Sequence, residues 1–139
     1  MLVLDTDHIS ILERLESPER MPLVRRLERS GLPVTTTIVS YEEQSRGWLA
    51  YVARARSKTD QLDAYRRLAK HLEAYRSLTV LDFDSPAFDR YQSLKQEVSI
   101  GTLDLKIAAI TLIHDAVLLS RNLKDFEQVP GLKVEDWLS

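Results

Sequence analysis

The 139-residue sequence contains no cysteine, only four glycines, and no apolar run as long as a membrane span needs. The lack of cysteine excludes disulfides, thiolate metal sites and cysteine nucleophiles, so a metal would have to be held by oxygen or imidazole. Such ligands favour Mg²⁺ or Mn²⁺. The sequence also lacks a phosphate-cradling glycine loop and a Gly-x-Ser-x-Gly nucleophile elbow, so it does not support serine-nucleophile chemistry.

The composition is that of an ordinary globular chain. With 44% hydrophobic and 29% charged residues, the chain is long enough to bury a core, and we expect residues 1–139 to form a single domain. No basic leader precedes the first apolar run, so we expect a cytoplasmic protein that does not contact a membrane.

Charge is distributed unevenly along the chain. Between Arg46 and Arg76, eight basic residues stand against three acidic ones, a net charge of +5 in a chain whose net charge is -2. A positive segment on an acidic body predicts attraction to a polyanion such as a nucleic acid. The alternative interpretation of this segment is a solvated helix face.

Apolar spacing predicts alternating strands and helices. We expect strands over residues 2–5, 34–39, 79–82, 116–120 and 132–134, with helices between them. Two of those helices, over residues 40–56 and 59–77, form a predicted hairpin whose apolar stripe is assigned to packing. This alternation predicts an α/β fold, with a mostly parallel sheet of four or five strands covered on both faces.

Several polar residues follow the predicted strands. Asp5 ends the first strand, Glu42 or Glu43 opens the helix after the second, and Arg121 and Asn122 follow the fourth. Because ligands bind outside the carboxyl ends of strands in open parallel sheets, these side chains are expected to share one crevice.

Asp104 occupies the first turn of a later helix, which we expect Thr102 to cap. A carboxylate there is also favoured by the helix dipole, so stabilising the helix start is the alternative to a site role. Three or four carboxylates converging without a basic partner would repel one another unless a cation neutralised them. The pattern as a whole therefore favours a divalent metal site.

Four segments resemble the PIN-domain family, in particular the VapC-type toxins of bacterial toxin-antitoxin pairs: LDTDHIS, SYEEQSRG, GTLDLKIAAI and LLSRNLKDFEQVPGLKVEDW. The similarity extends over essentially the whole chain. The resemblance implies a three-layer α/β/α sandwich, Mg²⁺- or Mn²⁺-dependent ribonuclease activity, and usually a homodimer. It also implies inhibition by a small cognate antitoxin, with which the chain would form a hetero-oligomer.

The resemblance implies a set of metal ligands. Asp5 matches the family's first acid and Asp104 its third, and counting back from Gly47 identifies the second as Glu43 rather than Glu42. Adjacent helical residues point about 100° apart, so only one of these two glutamates is expected to face the cleft.

The fourth family position departs from the acidic pattern. It is often aspartate in the family and is Asn122 here, and Asp125 is the residue that would compensate. Asn122 can still bind a metal-bound water or a phosphate oxygen through its amide.

Three further polar residues lie near the expected site. Thr6, Arg121 and Asn122 are candidates for orienting the water or the phosphate, although capping the first helix is the more common role for a residue such as Thr6. His8 also lies beside the site, where a general-base role competes with ordinary polar packing.

The basic hairpin suggests two binding surfaces. Arg54 and Arg66 are candidates for guiding RNA phosphates. The family resemblance adds an antitoxin groove between the first helices and the hairpin, with these apolar residues: Leu12, Leu15, Trp48 and Tyr51. The alternative for Trp48 and Tyr51 is a place in the core.

Two other classes of protein remain as alternatives. LDTD also resembles the strand-end acid pair of aspartyl-phosphate phosphatases, although Asp82 and Asp84 are poor matches for that family's later acids. A non-catalytic binding module on the same fold is the second alternative, because fold does not determine function and Asn122 replaces an acid.

Overall fold

A five-stranded parallel sheet with the strand order β3-β2-β1-β4-β5 forms the centre of the computed structural model, which describes residues 1–139. Its strands are β1 (Leu2–Leu4), β2 (Val34–Thr37), β3 (Thr79–Leu81), β4 (Val117–Leu119) and β5 (Lys133–Glu135). The predicted α/β class is confirmed, and the sheet that was predicted as mostly parallel with four or five strands has five, all parallel.

Seven helices connect and cover these strands. They are α1 (Thr6–Glu13), α2 (Arg20–Ser30), α3 (Ile38–Arg54), α4 (Lys58–Arg76), α5 (Ser85–Lys95), α6 (Thr102–Ile113) and α7 (Leu123–Phe126). Gly31 ends α2 in the left-handed conformation, with a φ of 65°, which glycine adopts without steric cost. No helix combines the length and the hydropathy that crossing a bilayer requires.

The side chains of β1 alternate between two cores, one on each face of the sheet. Val3 belongs to the larger core, to which α5 and α6 contribute most of the buried side chains. Leu2 and Leu4 belong to the smaller one, with residues of α1 and α2 and with Tyr75 of α4. Because both faces of β1 are fully buried, its short apolar run and the acid that follows it are held rigidly.

Two predicted boundaries are wrong for local reasons. The strand predicted over residues 34–39 ends at Thr37, whose hydroxyl accepts a hydrogen bond from the Ser40 backbone N–H and caps α3. Ile38 and Val39 are therefore helical despite their β-branched side chains, since capping and packing outweigh propensity. Gly101, and not Thr102, is the N-cap residue of α6.

The apolar stripe of the hairpin does not pack as expected. Tyr75 is buried, but Leu62, Tyr65 and Leu72 are 54%, 59% and 54% exposed. Helices α3 and α4 pack against each other at the side of the sheet, and no further layer covers the outer face of α4. The helical period predicted the stripe correctly, but it could not predict whether another element covers it.

Candidate active site

The strand order places a topological switch point between β1 and β4. The chain moves from β1 to β2 and β3 on one side, and then returns to β4 and β5 on the other. Crevices outside the carboxyl ends of parallel strands form at such points. Asp5 directly follows β1, and Ser120 directly follows β4, so both stand at this edge of the sheet.

Asp5 is held by hydrogen bonds to both carboxylate oxygens and is only 5% exposed. Its Oδ1 accepts from the Thr6 backbone N–H at 2.8 Å, and its Oδ2 accepts from the Ser120 hydroxyl at 2.7 Å. Burial, together with the nearby charges of Asp7 and Asp104, raises the pKa of Asp5 to about 7 despite these bonds. Asp5, and not Thr6, caps α1, so the capping interpretation of Thr6 is wrong.

The Thr6 side chain instead reaches α3. Its hydroxyl donates to Glu43 Oε1 at 3.1 Å, which orients that carboxylate toward the end of β1. The neighbouring Glu42 points outward and pairs with Arg46 one turn further along α3. The structure therefore places Glu43, rather than Glu42, beside the other acids.

Asp104 and Asp125 meet through Asn122. The Asn122 amide nitrogen donates to Asp104 Oδ2 and to Asp125 Oδ2, both at 3.1 Å. Burial raises the pKa of Asp104, and the charges of Glu43 and Asp125 raise it further. The side chain of Asp104 accepts its hydrogen bond from Asn122 and not from a backbone N–H in the first turn of α6. Asp104 therefore does more than stabilise the start of that helix.

These carboxylates suit a hydrated divalent ion. They belong to Asp5, Glu43, Asp104 and Asp125, and none of their hydrogen-bond donors is a lysine or an arginine. No group of three or more histidine, aspartate or glutamate side chains is placed so that it could hold a metal ion directly. Mg²⁺ commonly keeps several waters and uses one or two carboxylates, so an open set of carboxylate oxygens fits such an ion.

A second set of hydrogen-bonded residues adjoins the carboxylates and was not predicted from the sequence. Asp7 Oδ2 accepts from the Arg121 backbone N–H at 2.8 Å, and Asp7 Oδ1 lies 2.6 Å from His8 Nδ1. The Trp137 backbone N–H donates to His8 Nε2, so Nδ1 carries the proton and donates to Asp7. His8 is fully buried and holds Asp7 in place, so the polar-packing interpretation of His8 is the correct one.

Ser120 connects Asp5 to the loop that carries Asn122. Its hydroxyl donates to Asp5 at 2.7 Å and accepts from the Asn122 backbone N–H at 3.0 Å. The second acid in LDTDHIS and the serine before Arg121 were the available signals for these residues.

Arg121 does not point into the acidic cluster. Its guanidinium pairs with Glu19 at the start of α2, while its backbone N–H holds Asp7. In this structure the Arg121 side chain is therefore engaged by Glu19 and does not face the acidic cluster. The residue contributes to the site through its main chain.

The predicted groove between α1 and the hairpin exists, but it is not apolar. A cavity of about 280 Å³ lies there, and Trp48 is its one hydrophobic residue. Its other lining residues are polar or charged: Ser10, Glu13, Arg14, Glu16, Asp63, Arg66, Arg67 and Lys70. Leu12 packs against the smaller core, Leu15 is 75% exposed beyond the end of α1, and Tyr51 lines an adjoining cavity with Arg54. The expected apolar lining is therefore a wrong prediction.

Glu13 in this groove predicts a pH-dependent stability. Its Oε1 is buried without a hydrogen-bond partner, and burial raises the pKa of Glu13 to about 7. A raised folded-state pKa means that the folded protein holds the proton more tightly, so stability is lost as pH rises from about 4.5 to about 7. We expect Glu13→Gln to raise the melting temperature at pH 8 and to change it little at pH 4. The exposed Glu16→Gln is the matched control, and an equal effect of both variants would contradict this assignment.

Comparison with known proteins identifies the family. A sequence model of the PIN domain matches residues 2–132, so the chain belongs to the PIN domain family. The family predicted from the four sequence segments is thereby confirmed.

Individual relatives agree with this membership. The chain is 32% identical over 65 residues to the tRNA(fMet)-specific endonuclease VapC of Salmonella typhimurium. That alignment covers 43% of this chain and 49% of the relative, so the chain spans about half the length of the curated relatives it matches.

Solved structures share the fold. The crystal structure of VapBC2 from Rickettsia felis bound to a promoter DNA fragment matches with a TM-score of 0.75 and 21% identity, over 98% of both chains. A toxin-antitoxin complex from Klebsiella pneumoniae matches with a TM-score of 0.62 and 20% identity, over 99% of this chain and 98% of that one. At these identities the likeness concerns the fold.

The phosphatase alternative does not fit this geometry. Asp84, one of its candidate later acids, caps α5 by accepting from the Ala87 backbone N–H.

Proposed function

We propose that this chain is a Mg²⁺- or Mn²⁺-dependent endoribonuclease of the VapC type that acts with a protein antitoxin as its partner. The observation that carries the proposal is the convergence of Asp5, Glu43, Asp104 and Asp125 at the switch point of the sheet, without a basic side chain among their donors. The relative named an endonuclease supports the activity, and the Klebsiella complex supports the kind of partner.

In the proposed site Asp5 and Asp104 would hold the ion, directly or through water, and Glu43 would complete the set of ligands. A bound ion would supply charge neutralisation at the scissile phosphate and would lower the pKa of a water. Thr6 positions Glu43 through its hydroxyl, and Asn122 positions Asp104 and Asp125 through its amide.

The proposed reaction is hydrolysis of a phosphodiester bond. A water oxygen forms a bond to phosphorus while the bond from phosphorus to the 3′ oxygen breaks. The proton of the water ends on the leaving oxygen, so the products carry a 5′ phosphate and a 3′ hydroxyl. No covalent intermediate with the protein is needed.

A nuclease assay with defined ions tests this proposal. We expect the purified chain to cleave mixed RNA internally with Mn²⁺ or Mg²⁺, to lose cleavage with a chelator, and to recover it when Mn²⁺ is restored. The products should be sensitive to an exonuclease that requires a 5′ phosphate. Cleavage that survives the chelator would contradict the metal assignment, and no cleavage with either ion would favour the non-catalytic binding module.

A further inference from the structure

The residues that follow β5 leave the sheet at the same edge as the acidic cluster. All five strands are parallel, and Glu135 pairs with Leu119 of β4, so residues 136–138 emerge beside Ser120. The backbone N–H of Ser120 donates to the Glu135 carbonyl at 3.0 Å. We call residues 120–122 the post-β4 loop and residues 136–138 the post-β5 segment.

The post-β5 segment is held against the smaller core. Trp137 and Leu138 pack on that core, and the Arg26 guanidinium lies 4.3 Å from the centroid of the Trp137 ring. The Leu138 backbone N–H donates to Asp136 Oδ1 at 2.8 Å, and the Trp137 indole N–H donates to Glu135 Oε1 at 3.1 Å. These contacts fix the backbone N–H of Trp137, which is directed toward α1.

Three hydrogen bonds in series connect this N–H to the post-β4 loop. The Trp137 N–H donates to His8 Nε2 at 3.2 Å, which leaves the proton on Nδ1, and His8 Nδ1 donates to Asp7 Oδ1 at 2.6 Å. Asp7 Oδ2 accepts from the backbone N–H of Arg121 at 2.8 Å. Because His8 is fully buried, bulk water does not replace a bond that is lost at either ring nitrogen.

The post-β4 loop carries the side chain that holds two of the site carboxylates. The Asn122 amide donates to Asp104 and to Asp125, both at 3.1 Å. The neighbouring Arg121 N–H donates to Asp7 and has no backbone partner. Since Asp7 lies in the first turn of α1, this bond fixes the loop relative to the end of β1.

We propose that the post-β5 segment positions the post-β4 loop for metal-dependent cleavage, acting through His8 and Asp7. This inference rests on the proposed ribonuclease function and adds to it three positioning residues, Asp7, His8 and Trp137. When the series is broken, the Arg121 peptide is free to turn, and Asn122 no longer holds its two carboxylates in a fixed place. Loss of a residue that supports metal ligands typically lowers activity about 10- to 100-fold.

Two substitutions of His8 separate its two hydrogen bonds. An asparagine amide lies as far from Cα as His Nδ1, whereas a glutamine amide reaches as far as Nε2. His8→Asn therefore keeps a donor to Asp7, and His8→Gln keeps only the acceptor for Trp137. We expect His8→Gln to lower kcat on labelled RNA at saturating Mn²⁺ by about 10- to 100-fold, with KM within about twofold of the parent value. His8→Asn should recover most of that loss.

The contribution of the post-β5 segment is tested at Trp137. Trp137→Pro removes the N–H that donates to His8, whereas Trp137→Phe keeps that N–H and a ring beside Arg26. We expect Trp137→Pro to lower kcat about tenfold and Trp137→Phe to restore it. In the His8→Asn background Trp137→Pro should have little further effect, because an asparagine amide donates to Asp7 without a tautomer that must be fixed.

Amide hydrogen exchange, followed by NMR without metal or RNA, reports on the loop independently of cleavage. We expect His8→Gln and Trp137→Pro to speed exchange of the Arg121 amide about tenfold, because its acceptor is no longer fixed. The amide of Asp5, which donates to the Leu119 carbonyl at 2.9 Å, should exchange as in the parent protein.

His71→Gln is the matched control, since His71 is also buried but bonds to Ser45, away from the post-β4 loop. Equal losses of kcat from His8→Gln and His71→Gln would overturn the proposal and leave the series a merely structural role. Lower kcat with unchanged exchange at Arg121 would also overturn it, as would parent-like kcat in both His8→Gln and Trp137→Pro. These results leave the proposed function intact when the parent protein cleaves RNA, whereas a parent protein inactive with either ion overturns the proposed function itself.

Discussion

Replacing either Asp5 or Asp104 with asparagine is expected to reduce metal-dependent cleavage by more than about 100-fold. Loss of a residue that supports a metal ligand typically lowers metal affinity or activity about 10- to 100-fold, and loss of a direct ligand should lower them further. Asparagine is nearly isosteric with aspartate, so the loss would come from the missing negative charge. The measurement is kcat/KM on a labelled RNA at saturating Mn²⁺.

The fold should survive both changes. At position 5 an asparagine oxygen can still accept from the Thr6 N–H, while its amide nitrogen can donate to Ser120. Because burial raises the pKa of Asp5 from 3.8 to about 7, its charge opposes folding above that range. Without a divalent ion at pH 8, Asp5→Asn should therefore melt at or above the temperature of the parent protein. The exposed Asp89→Asn serves as the control, and undiminished cleavage by either active-site variant would contradict the metal assignment.

The second large expected effect is a difference in cleavage rate between variants of two adjacent glutamates, Glu42 and Glu43. Glu43→Gln is expected to lower the cleavage rate by orders of magnitude, about 100-fold or more, whereas Glu42→Gln should lower it only slightly. Glu43 accepts from Thr6 and raises the pKa of Asp104, so its charge belongs to the acidic cluster. Glu42 forms an exposed pair with Arg46, which contributes about 0.3 to 0.5 kcal/mol at most.

The two glutamine variants are compared in one assay at equal metal concentration, with melting curves to show that both are folded. The single-turnover rate is the decisive measurement, because it does not depend on product release. The reverse ranking would mean that the second acid is Glu42. Equal small effects would mean that neither glutamate contributes to the site.

The fold class could be predicted from the sequence because its signals are local. The apolar run of Leu2–Leu4, the helix stop at Gly31 and the helix start at Ser85 each depend on neighbouring residues. Alternating strands and helices then leave few arrangements other than a covered parallel sheet. The boundary at Thr37 was missed because a side-chain cap competes with β propensity there, and the cap prevailed.

Asp5 and Asp104 could be named in advance because a strand end and a first helical turn each present a carboxylate at a known edge. The network of Asp7, His8 and Ser120 could not be predicted in this way. Several of its bonds join residues more than 100 positions apart, such as Ser120 to Asp5 and Trp137 to His8. No periodicity in the chain encodes such pairings.

The sequence alone determined the alternation of elements, the absence of thiol chemistry and the order of the acids along the chain, since these follow from composition and local spacing. Local spacing left Glu42 and Glu43 open and the family resemblance favoured Glu43, whereas the tertiary structure shows that Glu43 faces the cluster, that Glu42 faces Arg46, and that the groove beside α1 is charged. The direction of a helical side chain depends on how the helix is rotated against the sheet. That rotation is set by packing between elements that are distant in sequence, and the amino-acid sequence alone does not show this packing.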